Sequence, residues 1–504
     1  MRAISLVKRF EFEFPGNVAR NAIILGDVDN DGCNELIVGN QNGEVAIFKG
    51  RERHQSIPKL NFIGCMAVGD ITNQNKNVLI VITADGWCYL YINPVPLVED
   101  SFQKEKDEGV EEVDGQSHSV TGNIEVTPPA DVPSTSKVKT EKKEKIQLVC
   151  FHVQRIPANT KDIIIGDIDG DGNFEMVLGL TDRVVRSYKW MSNPNRSTLD
   201  ISDVSNQFEP SDKILGKFVA LNKWECANQI GSITLHHSAD GKPSILIAQP
   251  GGTFMRIKCQ SDDLIGEECI ESSVHSNSGS SLGENITSSI DYQFLGISRM
   301  RNQNISTEIL GDLRYSQYDS GVSIDKSSCS SQKEPSSAPT KGKPYALATL
   351  DGTIMLVQDE VILWAIAVDH QIFALTKLDV TGTGSDDIVA CSWDGETYIL
   401  DQDKNSVRFH LDEPVQAFQS GYYNIQPDVP DVTCLVYVTF KNSIIVYYDL
   451  PLKELICKKF EPDVVKLSEL FIGDGREPEE ALEYVKNMDR KTRRDLVEYL
   501  MYNN

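Results

Sequence analysis

The stretch that decides the fold, residues 163–188, reads IIIGDIDGDGNFEMVLGLTDRVVRSY. It holds three short apolar runs, with an acidic loop between the first two and a turn before the third. Apolar runs of this length, rich in β-branched residues and bounded by turn residues, predict three β-strands. The same arrangement recurs along the chain, so this stretch is one unit of a repeat.

The turn and the strand after it occur seven times, in residues 42–48, 85–91, 182–188, 251–257, 351–357, 394–400 and 441–447. The turn residues lie 43, 97, 69, 100, 43 and 47 positions apart. An apolar strand precedes each turn, and in several copies a still earlier strand ends in Gly-Asp. A looser fourth strand is expected after the turn-strand, as in residues 59–63. Four short strands in about 43 residues are typical of a β-propeller blade.

The sequence therefore predicts an all-β fold, a seven-bladed β-propeller that occupies residues 1–460. Two separate β-sandwiches explain the similar copies poorly, and of the Trp-Asp pairs typical of WD-type repeats only residues 393–394 match. Residues 10–14 read FEFEF and alternate like a strand, so we expect them to be the outer strand of the last blade. Residues 453–457 compete for that place.

Three segments lengthen the repeat and show no strand pattern: about 99–145, 260–289 and 316–343. They are charged or rich in Ser, Gly and Lys, which predicts disordered insertions. From about residue 461 the pattern becomes helical, with Pro478 at the start of one helix and Asp489 as the cap of another. This tail, residues 461–504, either packs on the propeller or docks a partner.

Composition excludes several classes of function. Asp and Glu number 74 against 49 Lys and Arg, a formal net charge of −25, which opposes binding to nucleic acid. No run approaches 18 apolar residues, and the N-terminus has no secretory pattern, so neither membrane insertion nor secretion is expected. The 11 scattered cysteines indicate reduced core residues of a cytoplasmic protein.

Two loops carry a candidate metal site, each with the pattern D-x-D-x-D-G-x-x-E. Carboxylates at alternate positions and a glycine for the sharp turn are the oxygen-rich arrangement that hard cations prefer. The clustered charges would otherwise repel one another, which favours a structural Ca²⁺, with Mg²⁺ or a metal-free turn as alternatives. The predicted ligands are Asp27, Asp29, Asp31, Cys33 (through its carbonyl) and Glu35 in the first loop, and Asp167, Asp169, Asp171, Asn173 (through its carbonyl) and Glu175 in the second.

No nucleophile–base pair, phosphate-binding loop or metalloprotease motif is present in the sequence. We therefore expect a protein that is not an enzyme and has no catalytic residues. The alternative is a propeller that binds or processes a small molecule or glycan at its central channel, because such sites leave no local motif.

The acidic loops resemble the FG-GAP repeats of integrin α-subunit propellers. Longer strings resemble the integrin-α FG-GAP repeat-containing protein 2 family, and they lie at residues 25–31, 344–353, 368–375, 378–382, 393–399 and 434–440. The resemblance covers about residues 1–449, apart from the insertions. It does not extend well into the C-terminal tail.

This resemblance implies a role that the residues alone do not show. The family is a subunit of the KICSTOR complex, in which it associates with kaptin, another propeller-like subunit. The complex helps to hold GATOR, a GTPase-activating assembly for Rag GTPases, at lysosomes. The implied function is a non-catalytic scaffold, peripheral at the lysosomal surface, that restrains TOR signalling when nutrients are scarce.

Overall fold

The computed structural model describes residues 1–93, 147–193, 216–260, 287–294, 304–315, 341–426, 429–450, 452, 455, 464–472 and 477–502. Within these residues, 29 β-strands precede three short helices. The expected all-β class is therefore confirmed. The predicted insertions lie almost entirely outside the described residues.

After two N-terminal strands, β1 (Arg2–Ala3) and β2 (Arg9–Glu13), the strands form consecutive antiparallel runs of four. The first run is β3 (Val18–Gly26), β4 (Glu35–Asn40), β5 (Val45–Lys49) and β6 (Glu52–Ile57). The second is β7 (Ile63–Gly69), β8 (Val78–Thr83), β9 (Trp87–Ile92) and β10 (Val149–Arg155). The third is β11 (Thr160–Gly166), β12 (Glu175–Leu180), β13 (Val184–Ser192) and β14 (Gly216–Glu225).

The fourth run is β15 (Ile233–His237), β16 (Pro243–Gln249), β17 (Thr253–Gln260) and β18 (Thr287–Phe294). The fifth is β19 (Thr307–Leu310), β20 (Tyr345–Thr349), β21 (Thr353–Gln358) and β22 (Val361–Ala367). The sixth is β23 (Ile372–Leu378), β24 (Asp387–Ser392), β25 (Glu396–Leu400) and β26 (Ser406–His410). The last has three strands, β27 (Val415–Tyr423), β28 (Val432–Thr439) and β29 (Ser443–Tyr448).

The first strands of successive runs lie side by side around a ring. Contacts join β3 to β7, β7 to β11, β11 to β15, β15 to β19, β19 to β23 and β23 to β27, and β27 contacts β3 again. A single parallel pair, Asn21 with Cys65, links the first two runs into one eight-stranded sheet. The arrangement is propeller-like, with the later strands of each run on the outside.

The N-terminus closes this ring. Strand β2 pairs antiparallel with β29, with Phe10 opposite Val446, and so completes the last sheet. The prediction for residues 10–14 is confirmed, whereas the competing segment 453–457 lies largely outside the described residues. Strand β1, which the sequence did not predict, pairs in parallel with β26.

The seven predicted turn residues share one backbone conformation. Positions 43, 86, 183, 252, 352, 395 and 442 all have positive φ, between 64° and 95°. At Gly43 this is a strict requirement, because a Cβ there would lie 1.6 Å from the Leu60 carbonyl oxygen. Arg183 and Asn442 adopt the same conformation with a side chain. The turn-strands that follow are β5, β9, β13, β17, β21, β25 and β29, as the repeat predicts.

Two boundary predictions were wrong. The fourth strand of the first run is β6, not residues 59–63, and Lys59 has a positive φ of 66° that interrupts a strand. Strand β6 was missed because its sequence, ERHQSI, is polar and half exposed. The insertion placed at 260–289 is shorter than expected, because β17 extends to Gln260 and β18 begins at Thr287.

The core lies between neighbouring sheets, where the central strands of each run are buried along most of their length. The closing strand takes part in this packing. The rings of Phe12 and Phe48 lie with centroids 4.3 Å apart, and Phe14 is fully buried. Aromatic burial of this kind makes β2 part of the core rather than a loose extension.

The C-terminal helices are α1 (Val464–Ile472), α2 (Pro478–Asn487) and α3 (Arg490–Tyr502). Helix α1 packs on α2, with the rings of Phe471 and Tyr484 5.2 Å apart. The cap predicted at Asp489 is confirmed, because its Oδ1 accepts the Lys491 and Thr492 N–H groups at 2.9 and 3.0 Å. Among the described residues, no helix is long and apolar enough to cross a membrane.

Candidate functional site

The first acidic loop, between β3 and β4, is curled by its own backbone. Asp27 accepts the Asp31 N–H on Oδ1 at 3.1 Å and the Gly32 N–H on Oδ2 at 2.9 Å. Gly32 has a φ of 86°, which permits the turn that the motif requires. This curl folds the loop back on Asp27, while Asp31 stays exposed.

The curl brings the acids of the first motif together. Oxygens of Asp27, Asp29 and Glu35 lie within 4.8 Å of one another, and Asp29 and Glu35 are buried. Glu35 accepts the Val28 N–H on Oε2 at 3.1 Å. Cys33, expected to contribute a carbonyl, donates its N–H to Asp31 Oδ1 at 2.9 Å.

The second loop, between β11 and β12, repeats this geometry. Asp167 accepts the Gly170 and Gly172 N–H groups at 2.6 and 2.9 Å. Its oxygens lie within 4.8 Å of those of Asp169 and Glu175. The remaining contacts also correspond, since Glu175 accepts the Ile168 N–H and Asp171 accepts the Asn173 N–H. The two loops are therefore built alike.

A lysine that the motif does not contain enters each loop. Lys49, at the end of β5, places Nζ 2.8 Å from Asp29 Oδ2, 2.5 Å from Asp31 Oδ2 and 2.9 Å from Glu35 Oε1. Lys189 of β13 lies 2.7 Å from Asp171 Oδ2 and 3.6 Å from Glu175 Oε1. Each ammonium thus stands among the carboxylates proposed to bind a cation.

Burial dominates the electrostatics of these loops. It raises the pKa of both Glu35 and Glu175 to about 8, and the neighbouring aspartates add to the shift. Burial opposes the charge on Lys49, yet its contacts with Asp29, Asp31 and Glu35 outweigh this and raise the pKa of Lys49. The loops therefore favour positive charge among their acids.

A third loop, between β23 and β24, has the same curl but a different charge balance. Asp379 accepts the Gly382 and Gly384 N–H groups at 2.7 and 2.8 Å, and Asp387 closes the loop. Burial raises the pKa of Asp387 to about 7. Strand β24 pairs with β25 through Ile388 and Leu400, and the residue after Leu400 is Asp401. The first two loops have lysine at this position, so the third loop has an acid there instead of a base.

The central channel is the other candidate site. The first strands of the runs line a cavity of about 340 Å³ there. The guanidinium of Arg20, from β3, reaches across it. Arg20 Nη1 donates to Glu308 Oε1 at 2.7 Å and to the Phe373 carbonyl at 2.9 Å.

Besides Glu308, the channel contains a second buried acid, Asp162. Its Oδ2 accepts the Ile233 N–H at 2.8 Å, and its Oδ1 accepts from Asn21 Nδ2 at 3.1 Å. Burial raises the pKa of Asp162 to about 6. These polar groups join strands from different runs of the ring.

The comparisons with known proteins agree with the resemblance seen in the sequence. Residues 55–452 match the family described as Integrin-alpha FG-GAP repeat-containing protein 2. The KICSTOR complex protein ITFG2 of Mus musculus is 32% identical over 460 residues, which cover 90% of this chain and 87% of the mouse protein. The chain belongs to this family.

A second member of the ITFG2 family, the KICSTOR complex protein ITFG2 of Bos taurus, is 32% identical over 464 residues. That match covers 90% of this chain and 73% of the bovine protein. Among solved structures, BBS1N in complex with ARL6DN is 13% identical, with a TM-score of 0.49, and the match covers 90% of this chain and 98% of that one.

The sequence of this ITFG2-family chain did not predict three charged site residues, which are Lys49, Lys189 and Arg20. Both lysines lie fourteen residues after the closing glutamate of their motif, so the repeat carried a signal. Glu175 and Lys189 are direct cross-strand partners, as the strand length and turn between them require. Arg20 lies 288 residues from Glu308 and had no local signal.

Proposed function

We propose that this chain is a non-catalytic scaffold subunit of a KICSTOR-like complex. The observation that carries the proposal is the 32% identity over 90% of the chain to relatives named as KICSTOR complex proteins. In this proposal it associates with a kaptin-like propeller subunit and helps to recruit GATOR to the lysosomal surface. Its loss would release TOR signalling from restraint under nutrient limitation.

The proposed architecture is a seven-bladed ring over about residues 1–460, followed by the helical tail. The eight-stranded sheet counts as two blades because a single residue pair joins its halves. The last three-stranded run gains its fourth strand from β2. In this proposal, the cycle of contacts between first strands passes through seven blades.

The channel supports a scaffold more than a ligand-binding propeller. Arg20, Asp162 and Glu308, the charged groups that meet there, make hydrogen bonds between strands of different runs. Groups engaged in this way stabilise the ring and are less available to a small molecule or glycan. We therefore give the channel no catalytic or binding role.

Affinity purification with mass spectrometry tests the proposed function. The tagged full-length chain, expressed at its natural level, should recover a kaptin-like subunit and GATOR subunits from nutrient-starved cells. The recovered proteins should include lysosomal membrane components, because the complex is proposed to be peripheral there. Absence of both kaptin-like and GATOR subunits, from a chain that elutes as a folded monomer, would remove the proposal.

The same experiment separates the ring from the tail. A chain that ends at residue 461 keeps all 29 strands described above. If helices α1 to α3 dock a partner, recovery should fall while thermal unfolding of the ring stays unchanged. Unchanged recovery would assign partner binding to the ring, and a lowered Tm would show that the tail packs on it.

A further inference from the structure

The first acidic loop differs from a site waiting for a divalent cation, because the chain places its own ammonium beside the carboxylate oxygens that the backbone does not reach. In the first loop the Val28 N–H donates to Glu35, and the Gly32 N–H donates to Asp27. The Asp31 N–H is shared between Asp27 and Asp29, and the Cys33 N–H donates to Asp31. The three oxygens that these N–H groups do not reach, Asp29 Oδ2, Asp31 Oδ2 and Glu35 Oε1, all lie within 2.9 Å of Lys49 Nζ.

The position of the lysine is fixed by the sheet. Leu36 pairs with Phe48, so Lys49 stands one residue further along, beside Glu35 at the end of the ladder. In the third run Glu175 and Lys189 are paired directly. Cross-strand partners on one face lie about 5 Å apart at their Cβ atoms, within reach of an ion pair. The strand register therefore places the lysine beside the closing glutamate of the loop.

The corresponding loops of the second and sixth runs can be compared at the positions of the closing acid and the lysine. In the second run the closing acid is replaced by Val78, and Ile92 lies where the lysine would be, next to the Leu79–Tyr91 pair. In this run both the acid and the lysine are therefore replaced by apolar residues. In the sixth run, Asp401 lies in place of the lysine and the motif has Thr381 and Thr383 instead of two aspartates.

We propose that Lys49 takes the place of the divalent cation, so that the first loop is closed by an ammonium from the chain itself. Lys189 has the same role in the second loop with a looser fit, because its Nζ lies 2.7 Å from Asp171 Oδ2 but 3.6 Å from the buried Glu175 Oε1. A bound Ca²⁺ would need six to eight oxygens and would have to displace the lysine from the acids it contacts. The ammonium and a divalent cation are both positively charged, so they would repel each other strongly at a separation of a few ångströms. The ring then holds its shape at any Ca²⁺ concentration, unlike a propeller whose loops require the ion.

Thermal unfolding of the full-length protein with EDTA or with CaCl₂ tests this proposal. The wild-type Tm should change by less than about 1 °C between the two conditions, since an ion with no free site adds no stability. Elemental analysis after gel filtration should find no bound Ca²⁺ or Mg²⁺ at a stoichiometric level. A fall in wild-type Tm with EDTA that CaCl₂ reverses, or stoichiometric Ca²⁺, would overturn the proposal.

Substitution of the lysine should create the dependence that the wild type lacks. We expect Lys49→Met to lower Tm in EDTA by about 3 °C or more, because it leaves buried acids without a cation. CaCl₂ should then recover part of the loss in Lys49→Met and in Lys189→Met. The matched control is Lys223→Met, which removes a lysine from an exposed pair with Glu225 and should be neutral under both conditions.

The outcomes remain decisive if a variant does not fold. A Lys49→Met protein as stable as the wild type, with no response to CaCl₂, contradicts the proposal because the loop then needs no positive charge. If Lys49→Met cannot be purified, the wild-type chelator experiment and the elemental analysis still decide between ammonium and metal. None of these readouts depends on partner recovery, so they are independent of the proposed function.

Discussion

Replacement of Arg20 should weaken the whole ring, because this side chain joins strands on opposite sides of the channel. It extends from β3 to Glu308 on β19 and to the carbonyl of Phe373 on β23. The side chains of Arg20 and Glu308 are 24% and 9% exposed. Arg20→Met keeps most of the aliphatic stem and removes only the guanidinium, which makes it the sharpest perturbation.

The size of the effect follows from what remains behind. Removing one member of a buried ion pair costs about 3–5 kcal/mol, mainly because the other charge is left unpaired. The partial exposure of Arg20 reduces this, so we expect a loss of about 3 kcal/mol. At roughly 2 cal/mol/K per residue, the roughly 350 residues that the structure describes unfold with an entropy of about 0.7 kcal/mol/K, so the Tm should fall by about 4 °C.

Urea and thermal unfolding of the wild type, Arg20→Met and the double variant Arg20→Met with Glu308→Gln measure this effect. The double variant should be more stable than the single one, because it no longer buries an unpaired carboxylate. The matched control is Arg494→Met, whose partner Asp495 forms an exposed pair on helix α3. A loss below about 0.5 kcal/mol for Arg20→Met, or a double variant that is no better, would refute the reasoning.

Three further predictions concern the closing strand, a turn and the channel acid. Phe12→Ala should cost about 2–3 kcal/mol in urea unfolding, because it removes the ring that packs on Phe48 and holds β2; an unchanged midpoint would show that β2 does not close the ring. Gly395→Ala should lower the Tm by several degrees, since its φ is 95° and a Cβ would lie 2.2 Å from the Leu411 carbonyl oxygen; circular dichroism on heating measures this. Burial raises the pKa of Asp162 to about 6, above its ordinary value of 3.8, so the folded state binds a proton more tightly than the unfolded state. The wild type should therefore gain about 1 kcal/mol relative to Asp162→Asn between pH 7.5 and pH 5, and a difference that does not vary with pH would contradict this.

The features that the sequence predicted are those with a local physical cause. A turn with positive φ leaves a glycine or asparagine at a regular position, and a buried strand leaves an apolar run. The glycine or asparagine is present in six of the seven copies, with Arg183 in the other, and the seven turns and turn-strands are where they were expected. Strand β6 was missed because one side of an outer strand faces solvent and requires no apolar pattern.

The acidic loops show where a local motif stops being sufficient. The spacing of Asp27, Asp29 and Glu35 correctly predicted that their carboxylates converge. The positive charge beside Asp29 and Glu35 comes from the next strand, and the strand register identifies Lys49 as its source. Arg20 has even less signal, because its partners lie hundreds of positions away and depend on closure of the ring.

Because β2 pairs with β29, the last sheet cannot form until almost the whole propeller sequence has been synthesised. Strand β2 leaves the ribosome early, yet its partner β29 ends at Tyr448. At about 5–20 residues per second, some 20–90 seconds of translation separate the two. Throughout that interval β2 has no partner strand to pair with. A chain truncated before β29 therefore cannot close the last sheet through β2.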